Sequence, residues 1–133
     1  MVELALLLPV LVFGLIGGAD LARAYALQLA VVNGARAGAE AYAIDYAKNT
    51  AQAVQRTKDE MSRTPGMNAN LATITLRIKQ ADNASDCVAS PPTVDNPCFV
   101  FVRVQYAFKT VIPWPIVPNT ASFDRTTMMR LFY

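Results

Sequence analysis

Two cysteines, Cys87 and Cys98, are the residues whose type and spacing most clearly predict covalent chemistry. They flank a loop rich in proline, serine and aspartate, a setting that favours a disulfide over two unrelated buried thiols. Closing a loop of this length should stabilise the fold by about 3 kcal/mol in the chain-entropy model. We therefore expect a Cys87–Cys98 disulfide and, with it, an oxidising compartment.

The rest of the composition argues against catalysis. The 133 residues include no histidine, and 12 basic and 10 acidic residues give a net charge of only +2. The usual general base and zinc ligand is therefore missing, and no basic cluster is present that would bind phosphates. The sequence also has no G-x-S-x-G motif, phosphate-binding loop or plausibly spaced carboxylate pair. We expect no enzyme, catalytic residue, metal, cofactor or nucleic-acid partner.

Two weak binding signals lie in the loop between the cysteines and just before it. The carboxylates of "DNASD" (82–86), together with Asp95, offer oxygen ligands for a weakly bound calcium ion. Asn83 also begins an N-x-S glycosylation sequon. Both signals have low specificity, so an ordinary solvated loop is the favoured interpretation.

The N-terminal stretch "MVELALLLPVLVFGLIGGAD" combines an apolar run with a carboxylate at Glu3 and a proline at Pro9. The uncharged run, 4–19, would extend about 24 Å as a helix, whereas a bilayer core is about 30 Å thick. The span can continue past Asp20 and Arg23, because their i,i+3 spacing lets the two charges pair. A cleaved secretory signal is disfavoured, since such signals begin with basic residues. We expect a retained segment that spans a membrane only marginally.

Helical character is predicted to continue far beyond this segment, to about residue 63. The chain is rich in alanine and has no proline between Pro9 and Pro65, where "TPG" would end the helix. Such a helix would be roughly 90 Å long, more than the remaining residues can bury. Gly34 and Gly38 lie in a series of small residues at i,i+4, which lets helices pack closely. We expect this face to pack against helices of other subunits, rather than to be merely exposed.

After Gly66 the hydrophobic period changes from helical to two. Strands are predicted over 71–79, 98–109 and 120–133, with the alternation weakest in the last. The proline-rich stretch 111–118 cannot pair as a central strand, and its Trp114 is expected to pack on the sheet or to contact a neighbouring subunit. The apolar strand faces need a cover, which we expect from the C-terminal part of the long helix through Ala43, Ile44, Ala47, Ala51, Val54 and Met61. The predicted fold class is α+β, with one very long N-terminal helix on a small three-stranded antiparallel sheet.

This arrangement resembles a type IV pilin, and the residues resemble a narrower family. "VELALLLPVLVFGLIGGADLARAYALQLAVVNGARAGAEAYA" is similar to the N-terminal signature of TadE-like pilins of tight-adherence (Tad) systems: V-E-F-A-L-V-L-P, an apolar run, an acidic residue and an Ala-rich helix. The strand, proline loop and Met-Arg-containing last strand of the family are matched by 99–133. The resemblance implies two regions, a projecting apolar helix (1–30) and a pilin head (31–133).

The resemblance also implies a function. The chain would be a structural subunit of an extracellular, adhesive Tad-type pilus, forming a helical homo-oligomer through its N-terminal helices. It would be a single-pass inner-membrane protein before assembly, processed by a prepilin peptidase and extruded by the pilus machinery. The alternatives are a minor pseudopilin that primes or caps such a pilus, and a membrane-anchored adhesion module that does not polymerise.

The residues expected to contribute to assembly are found mostly in the apolar helix. Glu3 matches the family's glutamate, although it is third here rather than fifth; either two residues precede Met1 in the mature chain or the register differs. A partner for Glu3 would be an N-terminal ammonium, its own or a neighbour's. Pro9 and the glycines that follow it are expected to let the helix kink on leaving the membrane. The full predicted set is Glu3, Pro9, Gly14, Gly17, Gly18, Asp20, Arg23, Gly34 and Gly38.

Overall fold

The computed structural model of the protein describes residues 2–44, 49–87, 92–113 and 118–132. Two helices precede three strands in the chain, with a short 3-10 helix at Ala69–Leu71 between them. The fold is α+β, as predicted, with a long N-terminal helix and a three-stranded antiparallel sheet. The elements are α1 (Val2–Ala43), α2 (Thr50–Ser62), β1 (Thr73–Lys79), β2 (Phe99–Lys109) and β3 (Thr120–Arg130).

The prediction that one helix continues to about residue 63 was wrong. The first helix ends at Ala43, and α2 begins at Thr50. Asn49 is the N-cap of α2, since its backbone is extended and its side-chain oxygen accepts the backbone N–H of Gln52 at 2.9 Å. A cap of this kind satisfies one of the N–H groups that a helix start leaves unpaired. The chain therefore forms a helical hairpin in which α2 packs back on α1.

Two glycines of α1 provide the surface on which α2 lies. A β-carbon added at Gly34 would overlap the side chain of Met61, and one added at Gly38 would overlap the hydroxyl of Thr57. Gly34 faces the end of α2 and Gly38 its middle, so the two helices run antiparallel. Thr57 is fully buried, and its hydroxyl donates to the carbonyl of Ala53 at 3.0 Å. Close packing at the two glycines is therefore a contact within one subunit.

The sheet has the strand order β1-β2-β3, and all pairs are antiparallel. The central strand, β2, pairs Val102 with Leu76 on one side and with Thr127 on the other. Its predicted alternation is confirmed, because one face is buried throughout. The buried face consists of Val100, Val102, Val104, Tyr106 and Phe108.

The helical cover of the sheet differs from the predicted one. The middle of α1 packs on β2 and β3, and α2 contacts β1. Of the predicted covering residues, Ala43 and Met61 join the core, whereas Ile44 is 59% exposed and Ala51 is also exposed. Val54 is half-buried, and Ala47 lies outside the described residues. The α1 residues that fill the core are Leu27, Val31, Ala35, Ala39 and Ala43.

The predicted disulfide is present. Cys87 and Cys98 are bonded, with 5.7 Å between their Cα atoms. Cys98 is buried in the core next to the start of β2, and Cys87 packs against the same cluster from its edge. The bond thus joins the loop after β1 to the residue that directly precedes the central strand.

Candidate assembly surface

The first part of α1 projects from the head and is apolar on every side. Large apolar side chains are exposed at nearly every position from Leu4 to Leu15, where the most exposed fraction is 75%. A helix with no polar face is stable only when it is buried in lipid or in other protein. The exposed side chains of this stretch therefore form the candidate assembly surface.

One helix, Glu3–Ala43, is long and apolar enough to cross a membrane, with a mean hydropathy of 2.2 over its most apolar window. Only 6% of that window is buried within the protein, which distinguishes it from the core helix of a soluble domain. The ability to cross a membrane is inferred from length and composition. A signal sequence near an N-terminus satisfies the same criteria.

The helix is continuous through Pro9. Proline has no backbone N–H, so the carbonyl of Ala5 lacks its normal helical partner. Gly14 and Gly18 have open space beside them, with no atom within 4 Å of an added β-carbon. Glu3 is exposed near the start of the helix, and Gly17 is half-buried. The predicted kink at Pro9 remains a prediction about the passage from membrane to filament.

The projecting helix meets the head at Asp20. This carboxylate is only 7% exposed, and its Oδ1 lies 3.4 Å from the Arg23 guanidinium, so the predicted i,i+3 ion pair is present. The same oxygen also accepts the backbone N–H of Val111 at 3.3 Å. Asp20 therefore connects the exit of α1 to the chain that follows β2. Contacts with the head begin near this residue, which lies within the segment 1–30 that is predicted to project.

An apolar groove opens beside this junction. It has a volume of about 400 Å³, and Arg23 lies at its edge, 5.9 Å from the centre of the Phe108 ring. Phe108 and Phe123 stack within it, with 6.1 Å between their ring centres. We call it the α1–β3 groove and define it by Leu21, Ala24, Phe108, Pro118, Ala121 and Phe123.

The structure corrects part of the predicted assembly set. Gly34 and Gly38 are buried under α2, so they are not available to a helix of another subunit. Glu3, Pro9, Gly14 and Gly18 are all exposed on the projecting part. Trp114, the predicted subunit contact, lies outside the described residues. The groove was missed because its residues are far apart in sequence, and no local pattern unites them.

The start of α2 was also missed, although the sequence contains a signal for it. Asn49 and Gln52 have the N-cap and N3 spacing of a capping box. Without a proline or glycine nearby, alanine content suggested that the helix simply continued. The N-cap signal was the better guide to the break.

The loop that suggested calcium uses its carboxylate locally. Asp82 accepts the backbone N–H groups of Ala84 and Ser85, each at 3.0 Å, and also the Ser85 hydroxyl. The Ser85 hydroxyl first, and then these N–H groups, lower the pKa of Asp82. Within the described ranges, no group of three or more Cys, Asp or Glu is placed to hold a metal ion.

A projecting apolar helix that continues into a small α+β head is the architecture expected from the resemblance to pilins. Residues 1–40 match the model of the family described as TadE-like protein. This match confirms the resemblance seen in the sequence for the N-terminal segment. No curated protein and no solved structure matches the chain.

Proposed function

We propose that the protein is a structural subunit of an extracellular Tad-type pilus and that it assembles into a helical homo-oligomer through α1. The observation that carries the proposal is the projecting part of α1, which exposes apolar side chains on all sides while the head begins only at Asp20. Before assembly this helix would lie in the inner membrane, where lipid covers it. Processing by a prepilin peptidase, extrusion by the pilus machinery and a role in adhesion belong to the same proposal.

Glu3 gives assembly a defined register in this proposal. A carboxylate in an apolar helix bundle is costly unless it is paired, and an N-terminal ammonium of the same or a neighbouring subunit would neutralise it. Pairing at one position would then fix how far neighbouring helices are displaced along their axes. The proposal needs Glu3 in the bundle core and the head outside it.

The test is Glu3→Ala in the host cell, with Glu40→Ala as the matched control because Glu40 is an exposed glutamate of the same helix. Negative-stain microscopy should show about ten-fold fewer filaments for Glu3→Ala, the effect of losing about 1.4 kcal/mol per contact. Glu40→Ala should assemble normally. Retained disulfide and protease resistance of the head would show that the Glu3 variant still folds. Normal filaments from Glu3→Ala would contradict the assembly role of Glu3.

Immunogold labelling of the head in wild-type cells tests the subunit role itself. Label along the whole filament supports the proposal. Label only at filament ends would instead indicate a minor pseudopilin, and label confined to the cell membrane would indicate an anchored module that does not polymerise. Either of the last two results would overturn the proposed function.

A further inference from the structure

We propose that the α1–β3 groove binds the projecting apolar segment, 4–15, of a second copy of this chain. The inference rests on the proposed function, since it identifies the surface of the head that receives a neighbouring helix. It adds a contact between head and helix to the contacts between helices.

The character of the groove selects an apolar partner. Its lining is almost entirely carbon, from Leu21 and Ala24 on α1 and from Ala121 and Phe123 on β3. Among the described residues that line the groove, the carboxylate is that of Asp20, which already accepts from Arg23 and from the N–H of Val111. A charged partner would lose hydration there without gaining an equivalent contact, whereas an apolar side chain would gain by leaving water.

The position of the groove points to a second copy as the source of that partner. The groove opens on α1 at the point where the projecting part ends, and Gly17 and Leu21 of this helix line it. A second α1 that packs along the first one must pass this point. A displacement of roughly 10 to 15 residues, or about 15 to 22 Å along the axis, would place segment 4–15 of one copy beside Asp20 and Ala24 of the other.

The exposed face of α1 continues the same apolar surface beyond the groove. Leu21 is 74% exposed, and Tyr25, Leu29 and Val32 follow it at helical spacing with exposed side chains. One wall of the groove is thus the beginning of a longer apolar strip along α1. Segment 4–15 of a second copy is the described part of the chain whose exposed side chains match this strip in length and chemistry.

A photo-crosslinker identifies the occupant directly. Benzoyl-phenylalanine at position 121 should yield a covalent dimer in isolated filaments. In a mixture of isotope-labelled and unlabelled chains, the adduct should map to segment 4–15 of the other chain, within the tryptic peptide that ends at Arg23. The same probe at Ser122, which is exposed on the opposite face of β3, should give at least about ten-fold less of this dimer, since adjacent strand residues point to opposite faces.

Other crosslinking results would overturn the inference. These are an adduct with lipid, an adduct with another protein, a crosslink only within one chain, or equal dimer yields from positions 121 and 122. If wild-type chains form no filaments at all, the proposed function fails first. If filaments form and the crosslink goes elsewhere, the groove assignment fails alone.

A substitution that fills the groove gives an independent test. Ala121 lines the groove and is exposed, so Ala121→Trp should occupy it without disturbing the core. Filament number should fall by about ten-fold relative to Ser122→Trp, because overpacking a contact costs enough to displace the equilibrium by that factor. Disulfide formation and thermal unfolding of both full-length variants would confirm that the heads fold. Equal filament numbers from two folded variants would contradict the inference.

Discussion

Asp20 and Val111 are joined by a hydrogen bond that spans 91 residues of sequence, from the α1 carboxylate to a backbone N–H. Asp20 lies where the exposed N-terminal part of α1 ends and the part of α1 that packs in the head begins. The same oxygen also pairs with Arg23, one turn further along α1. This bond lies where the projecting helix leaves the head, and the groove proposed for a second copy opens beside it.

Replacing Asp20 should therefore loosen the junction in a graded way. Asp20→Leu removes the acceptor of the Val111 N–H and should destabilise the head by about 0.5–1.5 kcal/mol, the net contribution of a typical hydrogen bond. Asp20→Asn keeps an acceptor oxygen and should cost less, because the ion pair with half-exposed Arg23 is itself weak. Amide hydrogen exchange at Val111 and thermal unfolding of the full chain in detergent would measure both effects. Equal losses from the two variants would contradict the hydrogen-bond explanation.

Gly38→Ala should destabilise the helical hairpin. Its added methyl group would overlap the Thr57 hydroxyl and approach the Ala53 carbonyl to 3.2 Å, so α2 must move. Overpacking of this kind costs about 1–3 kcal/mol. Gly18→Ala is the matched control, because nothing lies within 4 Å of its added carbon and alanine is the better helix former by about 1 kcal/mol. Urea unfolding should show a lower free energy of unfolding for Gly38→Ala and an unchanged or higher one for Gly18→Ala. Equal losses of unfolding free energy in the two variants would contradict close packing at Gly38.

Removing the disulfide should lower stability without changing the fold. The double variant Cys87→Ala/Cys98→Ala should lose about 3 kcal/mol, seen as a lower midpoint in denaturant. Alanine is preferred to serine because Cys98 is buried and a hydroxyl there would need a partner. A reducing agent should shift the wild-type midpoint to that of the double variant and leave the variant unchanged. A wild-type midpoint that does not respond to complete reduction would contradict this role of the bond.

The cross-strand pair of Arg103 and Asp124 should make stability depend on acid. The guanidinium donates to both carboxylate oxygens, and Gln105 donates to one of them at 3.0 Å. The Arg103 hydrogen bond is the main cause that lowers the pKa of Asp124. A carboxylate whose folded pKa lies below its unfolded value of about 3.9 stabilises the fold above that pH. The contribution is lost as the pH falls from about 4 through the folded pKa.

The measurement is the thermal midpoint of unfolding between about pH 6 and pH 2.5. Asp124→Asn should flatten the acid part of the profile relative to wild type. Asp95→Asn is a suitable control, since Asp95 is exposed and has no ion pair within the described residues, and it should keep the wild-type profile. A wild-type acid loss that persists fully in Asp124→Asn would contradict the role of the pair.

Much of the fold could be predicted because its signals are local. The uncharged apolar run 4–19 predicted a helix that must be covered by lipid or by other protein. Alternation along 98–109 identified both the central strand and its buried face. The spacing of Cys87 and Cys98, and of Asp20 and Arg23, predicted two contacts that the structure contains. In each case the residues are close together in sequence. Their periodicity, or the short loop between them, therefore predicts how they lie in space.

The tertiary structure decided what depends on residues that are far apart. Small residues at i,i+4 predict that another helix packs closely at Gly34 and Gly38. Only the fold shows that this helix is α2 of the same chain. Sequence pattern cannot distinguish a helix of the same chain from one of another, since both need the same small side chains. The α1–β3 groove is likewise a product of the fold, because Leu21 and Ala121 become neighbours only when α1 lies across the sheet.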